Sequence, residues 1–439
     1  MVVSSGQQII EKIHAAAKRY EEFLIGFRRD LHAHPELART ESRTTERIAQ
    51  ALRDAGLQPR LLRGTGLTCD IGEAASGARR VALRADLDAL PIVETTGLPF
   101  ASTVPGISHA CGHDVHATAV LGAGLVLKTL DDEGLLTRPV RLIFQPAEEV
   151  MPGGALDVIE QGVLEGVGRA YALHCDPRFD VGQIGSRIGA ITSASDQIIV
   201  TVSSSGGHTS RPHLTGDVVF AIGEIITQAP AIMGRRLDPR YGVNLTWGMV
   251  EAGQTANAIP ATGTIKGTLR CLDVRAWEQA GDLLDDAVKQ IAAPYGVRTE
   301  VLHIRGVPPV VNDEAATQRL DQAAREMFGD DSVRLTEQSL GGEDFAWILN
   351  RVGGAMIRLG VHTPGGPRYD IHRGDLVVDE RAIAVGTRVL ARTVTLTTPE
   401  ISLKPEAPWT PTVLAKTTVS NPLAAPHGAD GSHGPGTPA

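Results

Sequence analysis

The run His109-Ala110-Cys111-Gly112-His113-Asp114-Val115-His116 crowds thiol, imidazole and carboxylate side chains into one short turn. Those donors suit zinc or a similar borderline ion, and a thiolate can bridge two such ions. Glu148-Glu149, His174 and His372 follow, each where a predicted element ends. Adjacent residues at a strand end point in different directions, so one glutamate can ligate an ion while its neighbour faces the water beside it. One ligand and one general base, beside paired ions that polarise a carbonyl, is the equipment of a metal-dependent hydrolase.

Elements must bring these residues together. Residues 7–32 and 41–55 predict helices, the second ending at Gly56 as a C-cap should. Apolar runs over Leu67–Ile71, 81–85, 140–144 and 170–174 predict strands, and 114–130 and 154–164 predict helices between them. That alternation argues for a largely parallel α/β sheet covered on both faces. In such sheets sites gather in the crevice outside the carboxyl ends of the strands. Arg84-Ala85-Asp86-Leu87-Asp88-Ala89-Leu90-Pro91, Glu148-Glu149 and His174 each close a strand, and the Cys111 cluster opens a helix.

Further on the pattern changes to a strand at 197–202, a helix at 217–232, strands at 243–250 and 263–272, a helix at Val274–Ala292 and a strand at 299–304. From 313 the α/β character resumes, with a helix near 315–328, a helix beginning near Glu343 and a strand at 355–359. The expected organisation is a catalytic domain in two parts, 1–188 and 307–398, with an α+β module inserted at 189–306. The Pro-, Ala- and Gly-rich segment 399–439 is expected to be a flexible tail, its His427 and His433 incidental.

The chain has 439 residues, with Lys+Arg 42 against Asp+Glu 51 and a formal net charge of -9. No long basic run interrupts that balance, so nucleic acid is not the expected partner. Residues 1–12 contain no apolar signal core, and no uninterrupted apolar stretch of membrane length stands out, which predicts a cytoplasmic protein without a membrane partner. Cys69, Cys111, Cys175 and Cys271 are few and spread out, as in a chain of reduced thiols. Asp114 reads as a helix N-cap, His32 and His34 as capping or packing residues before Pro35, and His116 as a structural neighbour of the cluster.

Seven ordered motifs carry a resemblance. They are residues 27–36 (FRRDLHAHPE), Arg84 to Pro91, His109 to His116, Gln145-Pro146-Ala147-Glu148-Glu149, Gly206-Gly207-His208, Asn257-Ala258-Ile259-Pro260 and Gly342-Glu343-Asp344-Phe345. Over nearly all of residues 27–393 the chain resembles the aminoacylase and carboxypeptidase superfamily of di-metal hydrolases, in its hippurate hydrolase and indole-acetyl-amino-acid hydrolase branch. The resemblance implies a phosphorylase/hydrolase-like mixed sheet with an inserted lid that also forms a homodimer interface. It implies two divalent ions, zinc first and manganese or cobalt next, with Cys111 bridging, His113 and His174 on one ion and Glu149 and His372 on the other. Glu148 would be the base, Asp86 would orient His113 or a neighbouring ligand, His208 would donate to the scissile carbonyl, and Asn257 and Arg270 would lie near the substrate. The wider superfamily has His-x-Asp where this chain has Arg84-Ala85-Asp86, and His113 takes the place of the missing histidine. His362, followed by Thr363-Pro364, is the alternative to His372 as last ligand.

The activity so implied is cleavage of the amide bond of N-acyl amino acids or related small amides. A di-metal dipeptidase or exopeptidase is the neighbouring alternative. Two others use the same residues differently: an amidase with Cys111 as nucleophile, which leaves the glutamate pair without a task, and a non-catalytic metal-binding protein, which has no use for a base beside its ligands.

Overall fold

A computed structural model of the chain describes residues 5–74, 78–396 and 415–419. It divides into two compact units, Met1–Ser195 with Leu272–Val274 and Gly306–Thr412, and Asp196–Cys271 with Arg275–Arg305 and Val413–Ala439.

The first unit is a mixed α/β domain. It opens with helices α1 (Ser5–Ala33) and α2 (Ser42–Asp54), then strands β1 (Arg60–Leu61), β2 (Leu67–Ile71) and β3 (Arg80–Asp86). Helix α3 (His113–Asp132), β4 (Val140–Gln145), α4 (Ala155–Glu160), β5 (Val167–Asp180) and β6 (Ile184–Ser186) follow. Its eight-stranded sheet runs β1-β2-β4-β3-β5, then Gly354–His362, β6 and Val333–Leu335. The centre is parallel, β4 to β3, β3 to β5 and β5 to Gly354–His362, whereas β2 runs antiparallel to β4. The central strands carry almost uninterrupted buried side chains, as a sheet covered on both sides requires.

Helix α3 is buried along most of its length because α1 and Arg381–Thr395 pack on it. Gly122 makes that packing possible: a Cβ there would collide with Thr387 and Leu24, so the two helices approach through a missing side chain.

The expected boundary at 189 moves. Gly189–Ala190 pairs antiparallel with Val311–Asn312, and Thr192 bridges to Ser339, so residues 189–195 are tied to the first unit by backbone hydrogen bonds. The short strands at Arg60–Leu61, Ile184–Ser186 and Val333–Leu335 are too brief to show a period in sequence.

The second unit is an α+β module. Its five-stranded sheet has the order Asn244–Ala252, Thr262–Arg270, Ser195–Ser203, Arg298–Val307, Ala415–Val419. Helices Val218–Arg236 and Val274–Ala292 supply the rest of its apolar core. The reading of no uninterrupted apolar stretch of membrane length stands, since Glu224, Gln228, Arg235 and Arg236 interrupt Val218–Arg236, although its 19 residues are long and apolar enough on average to cross a membrane. Burial accounts for part of that, since Val218, Ala221, Ile222, Ile225, Ala229 and Met233 face the core.

The segment 399–439, expected to be flexible throughout, contains a strand at Ala415–Val419. It pairs antiparallel with Glu300 to Ile304 and so covers the edge of Arg298–Val307. His427 and His433 lie outside the described residues.

Candidate metal centre

The sheet places the site at the carboxyl ends of its parallel strands. Arg84 is in register with Ala172 across β3 and β5, and Asp86 with Gln145 across β3 and β4. Two residues beyond Ala172, His174 therefore reaches the level of Asp86, and the turn after Gln145 carries Glu148 and Glu149 to the same edge. Helix α3 begins there too, at His113, after Gly112 with φ 89°. Glycine is required at that point twice over, because a Cβ would also lie 2.9 Å from the Cys175 sulfur.

Two triads result. Ligand atoms of Cys111, His113 and His174 lie within 4.8 Å of one another, and so do those of Cys111, Glu149 and His372. Cys111 belongs to both. His372 reaches the cluster from the loop before Arg381–Thr395, held by its backbone N–H on the Ala110 carbonyl at 2.7 Å, with φ 60°. Ala147, at φ 59°, turns the chain just before Glu148. Left-handed backbone at two non-glycine residues is strain of the kind that gathers at functional sites. His362 lies outside both triads: its ring bonds to Asp180 at 2.6 Å and to the Gly366 carbonyl at 3.1 Å.

The hydrogen bonds fit ions at the triads. His174 Nδ1 donates to the Cys175 carbonyl at 2.7 Å, so its Nε2 lone pair faces Cys111 Sγ, 3.4 Å away. His113 is only 1 % exposed, yet neither ring nitrogen has a hydrogen-bond partner among the described residues, nor has the buried Glu149 Oε1. Orphaned buried polar atoms cost about 1–3 kcal/mol each unless something satisfies them. Aimed at one another beside a thiol, they are what a cation would satisfy. Burial pushes the Cys111 thiol well up, although His113 opposes this, and a bound divalent ion would reverse that by favouring thiolate.

Carboxylates brace this frame. Asp88 accepts from the backbone N–H groups of Glu148 at 3.0 Å and Glu149 at 2.8 Å, while Glu41 accepts from that of Ala147 at 2.8 Å. Three consecutive amides of the glutamate turn are thus held by buried or half-buried carboxylates. Asp86, expected to orient His113 or a neighbouring ligand, faces both His116 and His113. Its Oδ1 accepts from His116 Nδ1 at 2.7 Å and is 3.8 Å from His113 Nδ1, whereas Asp88 is closer to His113, at 3.4 Å. His116 in turn accepts from the Cys175 N–H at 2.8 Å, which occupies its other nitrogen and makes it a strut rather than a ligand.

Asp114 is not the N-cap. Gly112 occupies that position, and the Asp114 carboxylate instead takes Arg28 Nε at 2.6 Å and His32 Nδ1 at 2.8 Å, tying α1 to α3. All four cysteines are free and buried.

Glu148 stands beside Glu343 and Asp344, with an oxygen of each within 4.8 Å of the others. Removal from water, together with the negative charges of Glu343, Asp344 and Glu149, raises its carboxyl well above the usual range. Burial, opposed by Arg84, pushes Asp344 up to about 8. A buried glutamate of raised proton affinity is suited to carry a proton.

The remaining expected site residues lie in the second unit. His208 pairs with Ala258, and Thr209 N–H donates to the Asn257 carbonyl at 3.3 Å, so His208 and Asn257 share one corner. His208 Nδ1 accepts from the Ser210 N–H at 3.1 Å, which leaves Nε2 as the protonated, donating nitrogen of the neutral ring. Arg270 is not part of that corner. It ends the strand Thr262–Arg270, opposite Asn244, about 26 Å from Thr262 at roughly 3.3 Å per residue.

Sequence reasoning quoted Arg84, Asp88, Glu343 and Asp344 inside motifs without giving them tasks. A signal existed: Arg84 and Asp86 alternate at the end of the apolar run of β3 and Asp88 continues that alternation just past it, and buried charged residues need partners.

Comparison with known proteins agrees with this geometry. The model of Peptidase family M20/M25/M40 matches residues 82–396. An N-acetyl-L-cysteine deacetylase of Bacillus subtilis is 39 % identical over 367 residues, 83 % of this chain and 85 % of that one. A Rhodococcus jostii protein provisionally named glutamate–cysteine ligase 2-3 is 50 % identical over 371 residues, 84 % of this chain; the chain spans only 46 % of that relative's length. Among solved structures, a dinuclear metal-binding peptidase of the M20 family from Bacillus subtilis superposes with a TM-score of 0.75 at 32 % identity, over 86 % of this chain and 98 % of that one.

Proposed function

From the premise that the chain belongs to Peptidase family M20/M25/M40, and so is a metal-dependent hydrolase of amide bonds, we propose that it cleaves N-acyl amino acids or related small amides with Glu148 as general base. The observation that carries this reading is the pairing of two ligand triads through Cys111 with a glutamate of raised proton affinity alongside. The deacetylase relative supports the substrate class.

Two divalent ions fit Cys111, His113, His174, Glu149 and His372, and when bound they supply Lewis-acid polarisation of the carbonyl and acidify water. The thiolate favours zinc. Glu148 accepts the proton of the attacking water and passes it to the leaving nitrogen. Asp88 fixes the direction of that carboxylate by holding the amides of residues 148 and 149. His208, donating through Nε2, serves as hydrogen-bond donor to the oxyanion, a class of contact worth about 3–4 kcal/mol. Asn257 shares its corner, and substrate contact by that residue is part of the same proposal. A homodimer through the second unit is supported by the exposed apolar side chains of Val219, Phe220, Met249 and Val250.

The test strips the protein with a chelator, restores zinc or manganese, and measures amine release from N-acyl amino acids and dipeptides, with Glu148→Gln alongside. Metal-dependent release that is lost in Glu148→Gln, and is ranked toward N-acyl amino acids, is the expected result. A ranking toward dipeptides would favour the peptidase reading suggested by the dinuclear peptidase structure. Full release by Glu148→Gln would remove the proposed base.

A further inference from the structure

Arg84 is 1 % exposed and every nitrogen of its guanidinium is engaged. Nε donates to Gln145 Oε1 at 3.0 Å, Nη1 to Asp86 Oδ2 at 2.7 Å, and Nη2 to Asp344 Oδ1 at 2.6 Å; Nη1 is also 3.2 Å from Glu343 Oε1. The guanidinium stands 5.6 Å from the centroid of the Phe345 ring. One cation therefore ties the ends of β3 and β4 to the turn that opens the helix Phe345–Val352.

The partners of Asp344 show what that tie does. Gln145 Nε2 donates to both of its carboxylate oxygens, at 2.9 and 2.7 Å, and the Ala155 N–H donates to Oδ2 at 3.0 Å. With its carboxylate so occupied, Asp344 has a fixed backbone, and its N–H points at Glu148 Oε1, 3.4 Å away. Glu148, Glu343 and Asp344 would repel one another if all were charged, and Arg84 is the cation among them.

We propose that Arg84 is a positioning residue for the proton-carrying glutamate: through Asp344 it holds one oxygen of Glu148 in place and leaves the other free for the water. This rests on the reading of Glu148 as base. The planar fork is essential, because a lysine ammonium cannot reach Gln145, Asp86 and Asp344 together in one plane. Arg84 touches none of the residues of the two triads, so its effect separates from metal binding.

The experiment compares Arg84→Lys, Asp344→Asn and Glu148→Gln with the wild-type holoenzyme on one N-acyl amino acid, measuring kcat, KM, bound metal and melting temperature. The expectation for Arg84→Lys and Asp344→Asn is a fall in kcat of about 10- to 100-fold, with KM within about threefold and bound metal unchanged, the size usual for partners that orient catalytic groups. If Arg84→Lys does not fold, Asp344→Asn carries the same expectation. A metal-replete variant with kcat within about twofold of wild type, or a kcat that falls only in proportion to lost metal, overturns the proposal. Loss of activity in Glu148→Gln with retention in the other two would sink this inference alone, whereas retention in Glu148→Gln would sink the base assignment and this inference with it.

Discussion

Each unit contains a buried histidine beside aspartate, and the two are built to opposite ends. In the second unit His303 Nε2 bonds to Asp196 Oδ2 at 2.7 Å, and the same oxygen accepts from Trp277 Nε1 at 2.8 Å. Asp196 and Trp277 are almost wholly buried and His303 is 6 % exposed, so that network is closed and its donors are answered. In the first unit His113 is more deeply buried and neither ring nitrogen has a close hydrogen bond among the described residues, Asp88 standing 3.4 Å from Nδ1 and Glu149 3.8 Å from Nε2, with the thiol of Cys111 facing it. A satisfied buried network rigidifies a core, whereas an unsatisfied one is tolerated where a ligand completes it. Residue type does not separate them; the count of missing partners does.

Replacing His113 should expose this difference most strongly. His113→Ala is expected to lose bound metal and to lower kcat/KM on the order of 10³-fold, since several kcal/mol of charge stabilisation goes with the ions. The metal-free forms of wild type and variant should melt closer together than the metal-loaded forms, because without ions the ring keeps only its contacts to Asp88 at 3.4 Å and Asp86 at 3.8 Å. Elemental analysis and calorimetry of both forms check this, and a large destabilisation of the metal-free variant would make His113 a structural residue.

Asp196→Ala should give the reverse. It strands the donors of His303 and Trp277 in the core, at about 1–3 kcal/mol each, so a loss of about 2–6 kcal/mol in urea unfolding is expected with bound metal unchanged. Metal loss in that variant would end the contrast.

A third network sharpens it. His32 joins Asp114 at 2.8 Å and Glu94 at 3.2 Å. Burial works against charge on Glu94, yet hydrogen bonds from His32, Thr96 and the Ser102 amide hold its carboxyl down at about 2, from an ordinary 4.5. A lowered carboxyl stabilises the fold above the ordinary value and loses that contribution as pH falls from about 4.5 to about 2. His32 is shifted the other way: burial opposes its charge, but Asp114 outweighs it and raises the imidazole, so its contribution is present below 6.5 and fades as pH rises through the raised value. Stability measured by denaturant between pH 5 and 2 should therefore decline less steeply in Glu94→Gln. An unchanged slope would show that Glu94 is not held by this network.

Much of this frame was legible in the chain because periodicity and donor chemistry are local. The continuous apolar runs that became β3, β4 and β5 marked strands buried on both faces, and the helix Val274–Ala292 was bounded to the residue by its amphipathic pattern. Cys111, His113, Glu148, Glu149, His174 and His372 stood out because soft and charged donors at the ends of apolar runs have few bland explanations. Asp86 was singled out for His113 or a neighbouring ligand, and only α3, one turn on, decides that His116 takes its hydrogen bond. Ala415–Val419 was invisible because its pairing depends on an edge more than a hundred residues earlier.

By itself, then, the sequence determined the alternation that makes a covered parallel sheet and the residue types able to hold two ions and a base, since both follow from side-chain chemistry and spacing along the chain. Only the tertiary structure decided how they are supported: that Asp88 braces the glutamate turn, that His372 and not His362 joins Cys111, and that Arg84 gathers three acidic partners. Apart from Arg84 with Asp86, those are contacts between residues tens to hundreds of positions apart. They are set by sheet register and helix packing, which no local pattern encodes.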